Sequence, residues 1–375
     1  MTYRGLTWDH PRGYDALAAA AARFPGIIRW DKQPLEGFES APITDLTAQY
    51  DLIVLDHPHI GEAVVENCLI PLENLYPTET LTTWEAQSIG PSFASYCWDA
   101  RHYALPLDVA THVMAHRPDM VPAPTSWEMI ENIAKTRPVA LSLGGPHALL
   151  NLISVAAGEG HVAGGPDFLP DTVALPILDR LGRLARNAPP GTANLNPIQL
   201  LERMTHSDDI ALIPLIFGYV TYARGPRPIR FTNTLRTDAG RGGVLGGTGI
   251  CFSRNTQPSQ DLLDHIAWLM QPDTQRGFIP DHGGQPSACV AWADPQVNDA
   301  WGGFYANTRA TAETALLRPR FDGFPAFTNR ASAALRQGFA DGTRPDPLLT
   351  TLRALWRDAR AAARGDLDDE RHRTQ

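Results

Sequence analysis

The chain is predicted to be an α/β protein of two lobes. Three observations carry this reading. Its 375 residues exceed what one hydrophobic core ordinarily holds, so two lobes are expected. It opens with a strand, a helix and a second strand, which gives a parallel sheet with a right-handed crossover. The run Leu52-Ile53-Val54-Leu55 is short and wholly apolar, as a strand covered on both faces must be.

The elements follow in order. Tyr3 to Trp8 reads as the first strand, and Pro11 to Phe24 as a helix with high propensity from Ala16 to Ala22. Gly26 to Trp30 is the second strand and Leu52 to Leu55 the third, followed by an amphipathic helix pattern. Thr125 with Glu128 reads as a capping box opening a helix. Gly144-Gly145-Pro146 breaks the chain before a helix from His147 to Ala157. Amphipathic helices are predicted over Asp171 to Asn187 and Asn196 to Thr205, and a buried strand over Ile210 to Ile216. Gly240 to Gly249 holds six glycines in ten residues and reads as a turn and crossing, with no Gly-Lys-[Ser/Thr] to make it a P-loop. Helical patterns return at Pro258 to Met270, Ala312 to Leu317, Asn329 to Phe339 and Leu348 to Arg364, before a charged tail, 365–375, expected to fray.

Bulk properties exclude several classes. A net charge of −9 argues against nucleic acid, which needs clustered Lys and Arg. No stretch approaches the ~20 apolar residues of a transmembrane helix. Cys68, Cys97, Cys251 and Cys289 form no C-x-x-C pair, so a zinc ribbon is unsupported and buried free thiols are expected. No G-x-S-x-G elbow, S-x-x-K or strand-borne G-x-G-x-x-G is present.

The ordered motifs carry a resemblance. Tyr103-Ala104-Leu105-Pro106 matches a Tyr-x-x-Pro segment, Pro124-Thr125-Ser126-Trp127-Glu128 a helix start with Ser126 in a Thr position, Gly246-Gly247-Thr248-Gly249-Ile250 a glycine-rich return, and Gly283-Gly284-Gln285-Pro286-Ser287 the segment after the returning helix. Together they resemble the extracellular solute-binding proteins of ABC transporters, in the sugar-carrying branch like maltose-binding protein. The resemblance implies an α/β, two-lobe periplasmic-binding-protein-like fold with a ligand cleft between the lobes, residues 1–107 and 250–300 forming one lobe and 108–249 and 301–364 the other. It implies a monomer that closes on a small polar solute, a carbohydrate or polyol, and delivers it to a membrane permease. The start, MTYRGLTWDH, lacks a basic and apolar leader. A periplasmic location is expected if a signal has been removed, and a cytoplasmic one if Met1 is native. The alternative is a cytoplasmic enzyme or ligand sensor on the same scaffold, and a metal-binding transport protein ranks third.

In an open α/β sheet, ligands bind beyond the carboxyl ends of the strands, which selects the candidate contacts. Trp8, Asp9, His10 and Arg12 follow the first strand, with an Asp9 helix cap and a solvated Arg12 as the plainer reading. Asp56, His57 and His59 follow the third; a zinc site with His10 is the weaker reading, and no cofactor or metal is predicted. Asp108, at the crossing, is a candidate hydroxyl acceptor or a structural ion-pair member. Phe217 and Tyr219 offer aromatic faces to sugar C–H groups. Gly247 and Thr248 lie on the glycine-rich return, and Arg318, near Arg309, Arg320 and Asp322, is a late cation that can face the cleft. Three aspartates favour a neutral, hydroxyl-rich ligand, and left unpaired they would keep the cleft open and wet.

Overall fold

The computed structural model describes residues 2–363; Arg364 and the expected frayed tail lie outside them. Among these residues the strands are β1 (Tyr3–Trp8), β2 (Ile28–Gln33), β3 (Leu52–Leu55), β4 (Cys97–Trp98), β5 (Arg101–His102), β6 (Leu105–His116), β7 (Leu212–Phe217), β8 (Arg230–Thr232) and β9 (Leu245–Phe252). One sheet runs β2-β1-β3-β9-β6-β7, with β8 also on β6, while β4 and β5 pair apart from it. β1 pairs in parallel with β2 and β3; β9 then runs antiparallel to both β3 and β6.

The core lies on both faces of this sheet. Along β3, Ile53 and Leu55 join one apolar cluster while Leu52 and Val54 join the other, as the two-residue period of a strand dictates. On β7, Leu212 and Leu215 face one way and Ile213 and Ile216 the other. The helix His147–Gly158 is buried along its whole length, so apolar residues occupy all its sides rather than one stripe, with His147, Asn151 and Ser154 as buried polar exceptions. Each large side chain withdrawn from water contributes roughly 1.5–3 kcal/mol.

β6 and β9 are the long central strands, and their pairing is irregular where the site lies. The register shifts between Pro106 and Asp108. Proline has no N–H for the ladder, so a bulge suits it, and a bulge re-aims the side chains beside it. Opposite, Gly247 takes φ +100°, and a Cβ there would stand 2.2 Å from the Asp108 carbonyl oxygen. Gln285 locks the same region: its backbone and side chain exchange hydrogen bonds with Val109 (2.7 and 2.8 Å), and its Oε1 accepts from Val220 N at 2.8 Å.

Several boundaries differ from the sequence reading. The second strand starts at Ile28, because Gly26 turns at φ +86°. Ser126, not Thr125, caps the helix Trp127–Ile133: Ser126 is extended and its Oγ accepts from Met129 N, while the Thr125 hydroxyl turns to the Met129 sulfur. The stretch 312–317 is not a helix of its own. The helix Phe304–Glu313 ends within it, and Leu316 instead bridges to Val244 in parallel. The helix predicted from Asn329 begins at Phe324, behind Gly323 at φ +98° with Pro325 in the first turn. The last helix spans Pro345–Ala362. No disulfide joins the four cysteines, of which Cys251 is buried and Cys68, Cys97 and Cys289 are half-buried. Among the described residues no helix is long and apolar enough to cross a membrane.

Candidate functional site

β1 delivers Trp8 to its carboxyl end, and the chain turns at once into the helix Pro11–Arg23. His10 caps that helix: its Nδ1 accepts from Arg12 N at 3.1 Å. The ring stacks on Trp8 with centroids 5.3 Å apart and meets Tyr219 edge-on at 5.0 Å. Burial, reinforced by the Arg12 charge and only partly opposed by Asp9, pushes its pKa down to about 3. His10 is therefore a neutral cap. The first turn then points Arg12 inward, between Tyr219 (4.4 Å) and Trp8 (5.3 Å). Its Nε and Nη2 donate to the two oxygens of Asp108 at 2.9 and 2.6 Å, and Nη1 donates to the Gly218 carbonyl at 3.0 Å. Both side chains of this ion pair are 4% exposed.

A second buried pair lies at the end of β3. Arg318 Nη2 donates to both oxygens of Asp56, at 2.5 and 2.7 Å, while its Nε holds the Leu245 carbonyl at 2.9 Å. Burial opposes ionisation of Asp56, yet the Arg318 charge and the contact with His57 outweigh it and hold the carboxyl well below the usual range. His57 Nδ1 lies 3.3 Å from Asp56, with the ring edge-on to Tyr96. Burial first, and then the Arg318 charge, lower its pKa to about 3.

Two cavities flank these pairs. One, of about 370 Å³ including its open mouth, is lined by Trp8, Arg12, Leu35, Phe38, Asp56, Ala110, Phe217, Tyr219, Gly246, Gly247 and Thr248. The other, of about 430 Å³, is lined by Asp56, Pro58, His59, Pro146, Leu150, Phe217, Arg318, Phe324, Pro325, Thr328 and Asn329. Asp56 and Phe217 belong to both walls. Thr248 Oγ1 is buried on the first wall with no protein hydrogen-bond partner.

Of the thirteen residues singled out from sequence, Trp8, Arg12, Asp56, His59, Phe217, Tyr219, Gly247, Thr248 and Arg318 come together on these walls. Four do not. Asp9 is exposed and pairs with Lys32 at 2.7 Å, because it extends β1 beside the edge strand β2, where its N–H reaches the Gln33 carbonyl. His10 stands behind Trp8 and Tyr219 as the helix cap, the role the plainer reading gave to Asp9. His57 is fully buried beneath Asp56. Asp108 takes the ion-pair member's place of its two readings, buried behind the wall with each oxygen accepting from Arg12. Both buried carboxylates are thus paired, which corrects the expectation of unpaired charges in an open, wet cleft. Nor are His10 and His59 gathered into a shared cluster; His59 Nδ1 faces Glu62 at 3.7 Å. Among the described residues no group of three His, Cys, Asp or Glu could hold a metal ion.

Among the late arginines only Arg318 reaches the cavities. Arg309 pairs with Glu313 on its own helix, and Arg320 Nη1 donates to the carbonyls of Ala94, Ser95 and Cys97. Sequence reasoning missed Phe38 on the helix Leu35–Ser40, although the strand-end rule applied to β2 would have pointed to it. Phe324, Pro325, Thr328 and Asn329 left no comparable signal, because they arrive from the far end of the chain.

Gly13 shows how tightly the first wall is built. A Cβ there would stand 2.2 Å from the Trp8 indole nitrogen. Gly13→Ala is expected to lose about 1–3 kcal/mol by overpacking, against the ~1 kcal/mol that alanine gains as a helix former. A lower urea midpoint checks this, whereas a variant more stable than the parent would show that the ring gives way.

The architecture has close counterparts among solved structures. An ABC transporter solute-binding protein of Agrobacterium radiobacter K84, in complex with ribitol, superposes with a TM-score of 0.80 over 94% of this chain and 97% of its own, at 18% identity. The fold is that of the ABC-transporter solute-binding proteins. Maltose-bound MalE3 of T. maritima matches this solute-binding fold at TM-score 0.78 and 13% identity, covering 94% of this chain and 98% of its own. A solute-binding protein of Agrobacterium vitis S4 with D-mannitol matches at 0.75 and 15%, covering 97% and 100%. No protein-family model matches the chain, and neither does any curated sequence. In a solute-binding fold the two lobes meet along a cleft, and the cavities around Asp56 and Phe217 lie among elements drawn from the first 60 residues, the middle and the last 60 of the described chain.

Proposed function

We propose that the protein binds a neutral, hydroxyl-rich solute, a polyol or carbohydrate, in the cavities around Asp56 and Phe217 and delivers it to an ABC transporter permease. The observation that carries this is the pairing of both arginines with carboxylates on aromatic-lined walls. Arg318 and Asp56 present donor and acceptor groups side by side on the wall while their charges cancel, and Asp108, behind the other wall, cancels the charge of Arg12. A hydroxyl is both donor and acceptor, so vicinal hydroxyls complement such a pair, and the faces of Trp8, Phe38 and Tyr219 suit the C–H surface of a sugar. Two of the structural neighbours carry ribitol and D-mannitol, which is the same chemistry.

The lobes would divide within β6 and β9, at 1–107 with 250–300 and 108–249 with 301–364. Ligand contacts drawn from both sides favour the closed form, so binding shifts the population toward it. The closed complex is then what a permease outside the cytoplasm would recognise, the protein acting as a monomer and without catalysis.

Isothermal titration with ribitol, D-mannitol and D-glucitol tests this. Micromolar binding or better, about −8 kcal/mol, is expected for at least one of them. Its affinity should be nearly independent of salt, because a neutral ligand leaves little Coulomb energy to screen. Binding confined to organic acids, weakening steeply with salt, would sink the reading.

A further inference from the structure

We propose that Thr248 selects for a terminal hydroxymethyl group on the ligand, with which its own hydroxyl pairs inside the first cavity; the inference rests on the carbohydrate-binding reading above. Thr248 lies on β9 and lines that cavity with Gly246 and Gly247 beside it. The glycines carry no side chain, so Thr248 supplies this strand's polar group on the wall. They also bring the strand close to its neighbours: a Cβ on Gly246 would stand 2.5 Å from the Phe217 ring, and one on Gly247 2.2 Å from the Asp108 carbonyl oxygen. Thr248 is 3% exposed, and its Oγ1 is buried with no hydrogen-bond partner among the described residues. The charged groups of the same wall are engaged: Arg12 donates to Asp108 and to the Gly218 carbonyl, and Asp56 accepts from Arg318. Buried polar side chains nearly always have a partner. For Thr248 that partner is the occupant of the cavity.

The size of the space sets what reaches this hydroxyl. Apart from the open mouth, about 40 Å³ is free between these walls, roughly a quarter of the ~150 Å³ in which a benzene ring is held. A benzene ring has six heavy atoms, so the space takes about two, one carbon and one oxygen. A sugar ring or a whole polyol is too large for it, and the body of the ligand stays toward the mouth. The end of a polyol chain fits, because a hydroxymethyl group is two heavy atoms with nothing beyond them. Its hydroxyl can donate to Thr248 Oγ1 or accept from it. A methyl group in its place leaves the Thr248 hydroxyl unpaired, which is costly in a buried site. Thr248 thus discriminates between a ligand that ends in an alcohol and one that ends in a methyl group.

Isothermal titration of the parent, Thr248→Val and Thr248→Ser tests this. The probes are the tightest binder among ribitol, D-mannitol and D-glucitol, and the same polyol deoxygenated at both ends, which cannot turn round to offer a hydroxyl. The parent should prefer the intact polyol by about tenfold or more, the scale of leaving one buried group unpaired. Thr248→Val keeps the shape and removes the hydroxyl, so it should reduce that preference about tenfold by weakening the intact polyol. Thr248→Ser keeps the hydroxyl and should retain most of the preference. Without ligand, the melting temperature of Thr248→Val should not fall below the parent's, since no hydrogen bond within the protein is lost. A clearly lower one means that the hydroxyl already has a protein partner and overturns the inference. So does a valine variant that keeps the parent's preference, or a parent that binds both probes equally. Those outcomes leave the function standing, whereas a parent that binds none of the three polyols overturns both.

Discussion

Replacing Arg12 by alanine is expected to destabilise the protein by about 3–5 kcal/mol, the range for stripping one partner from a buried ion pair. Arg12 and Asp108 are each 4% exposed in their side chains and meet through two hydrogen bonds. Without the guanidinium, the Asp108 carboxylate is left charged and unsolvated, and the Gly218 carbonyl loses its donor. Tyr219 and Trp8 also lose the cation between them. Arg12→Lys should recover only part of the loss, since an ammonium cannot make the two parallel bonds. Asp108→Ala placed on Arg12→Ala should cost less than the sum of the single changes, because it removes the orphaned charge. Urea denaturation of the parent, the three single variants and the double variant measures all of this. A loss below about 1 kcal/mol for Arg12→Ala, the level of an exposed pair, would mean that water reaches the pair.

The second large effect is on acid stability. Unfolded, His10 and His57 take up a proton near their ordinary pKa of 6.5; folded, each does so only near about 3. Above pH 6.5 both are neutral in either state, and their burial carries no protonation cost. As pH falls below 6.5 the unfolded chain gains protons that the folded one refuses, so stability drops until the folded pKa near 3 is reached. Each histidine contributes a slope of about 1.4 kcal/mol per pH unit in that window. His265, lowered by burial to about 4, adds a third over a shorter range. Asp56 acts later: its depressed pKa gives stability that is present above the ordinary carboxylate range and lost as pH falls through and below it. Stability measured in urea from pH 7 to 4 should therefore fall steeply, by several kcal/mol in all. His57→Gln should reduce the slope by about one proton's worth, and so should His10→Asn, which preserves the cap. A slope unchanged in both variants would show that these rings titrate normally in the folded protein.

The site divides along the same physical lines. Trp8, Arg12, Asp56 and Tyr219 were legible because each follows an apolar run, and the strand-end rule needs only local pattern to place them. The same rule failed at Asp9, one residue from Trp8, because adjacent residues of an extended chain point to opposite sides and the pattern does not say which side is the cleft. It also said nothing about pairing. Asp108 could be read as a hydroxyl acceptor or an ion-pair member and Asp56 as a polar ligand contact, but local pattern names no partner, and the partners sit 96 and 262 residues away in the chain.

What the sequence determined by itself was what depends on neighbours in the chain. The unbroken apolar run Leu52–Leu55 made a doubly covered strand, the alanine run made the helix Pro11–Arg23, and the spacing of the crossing motifs made a chain that passes twice through one sheet. Tertiary structure decided everything that depends on residues brought together from far apart: that Arg12 pairs with Asp108, that Arg318 of the arginines at 309, 318 and 320 reaches the cavities, and that Phe324 to Asn329 close the second one. The reason is that hydrophobic patterning is periodic and read locally, whereas a buried charge must find one specific partner, and only the packed fold says which of the many arginines is within three ångströms.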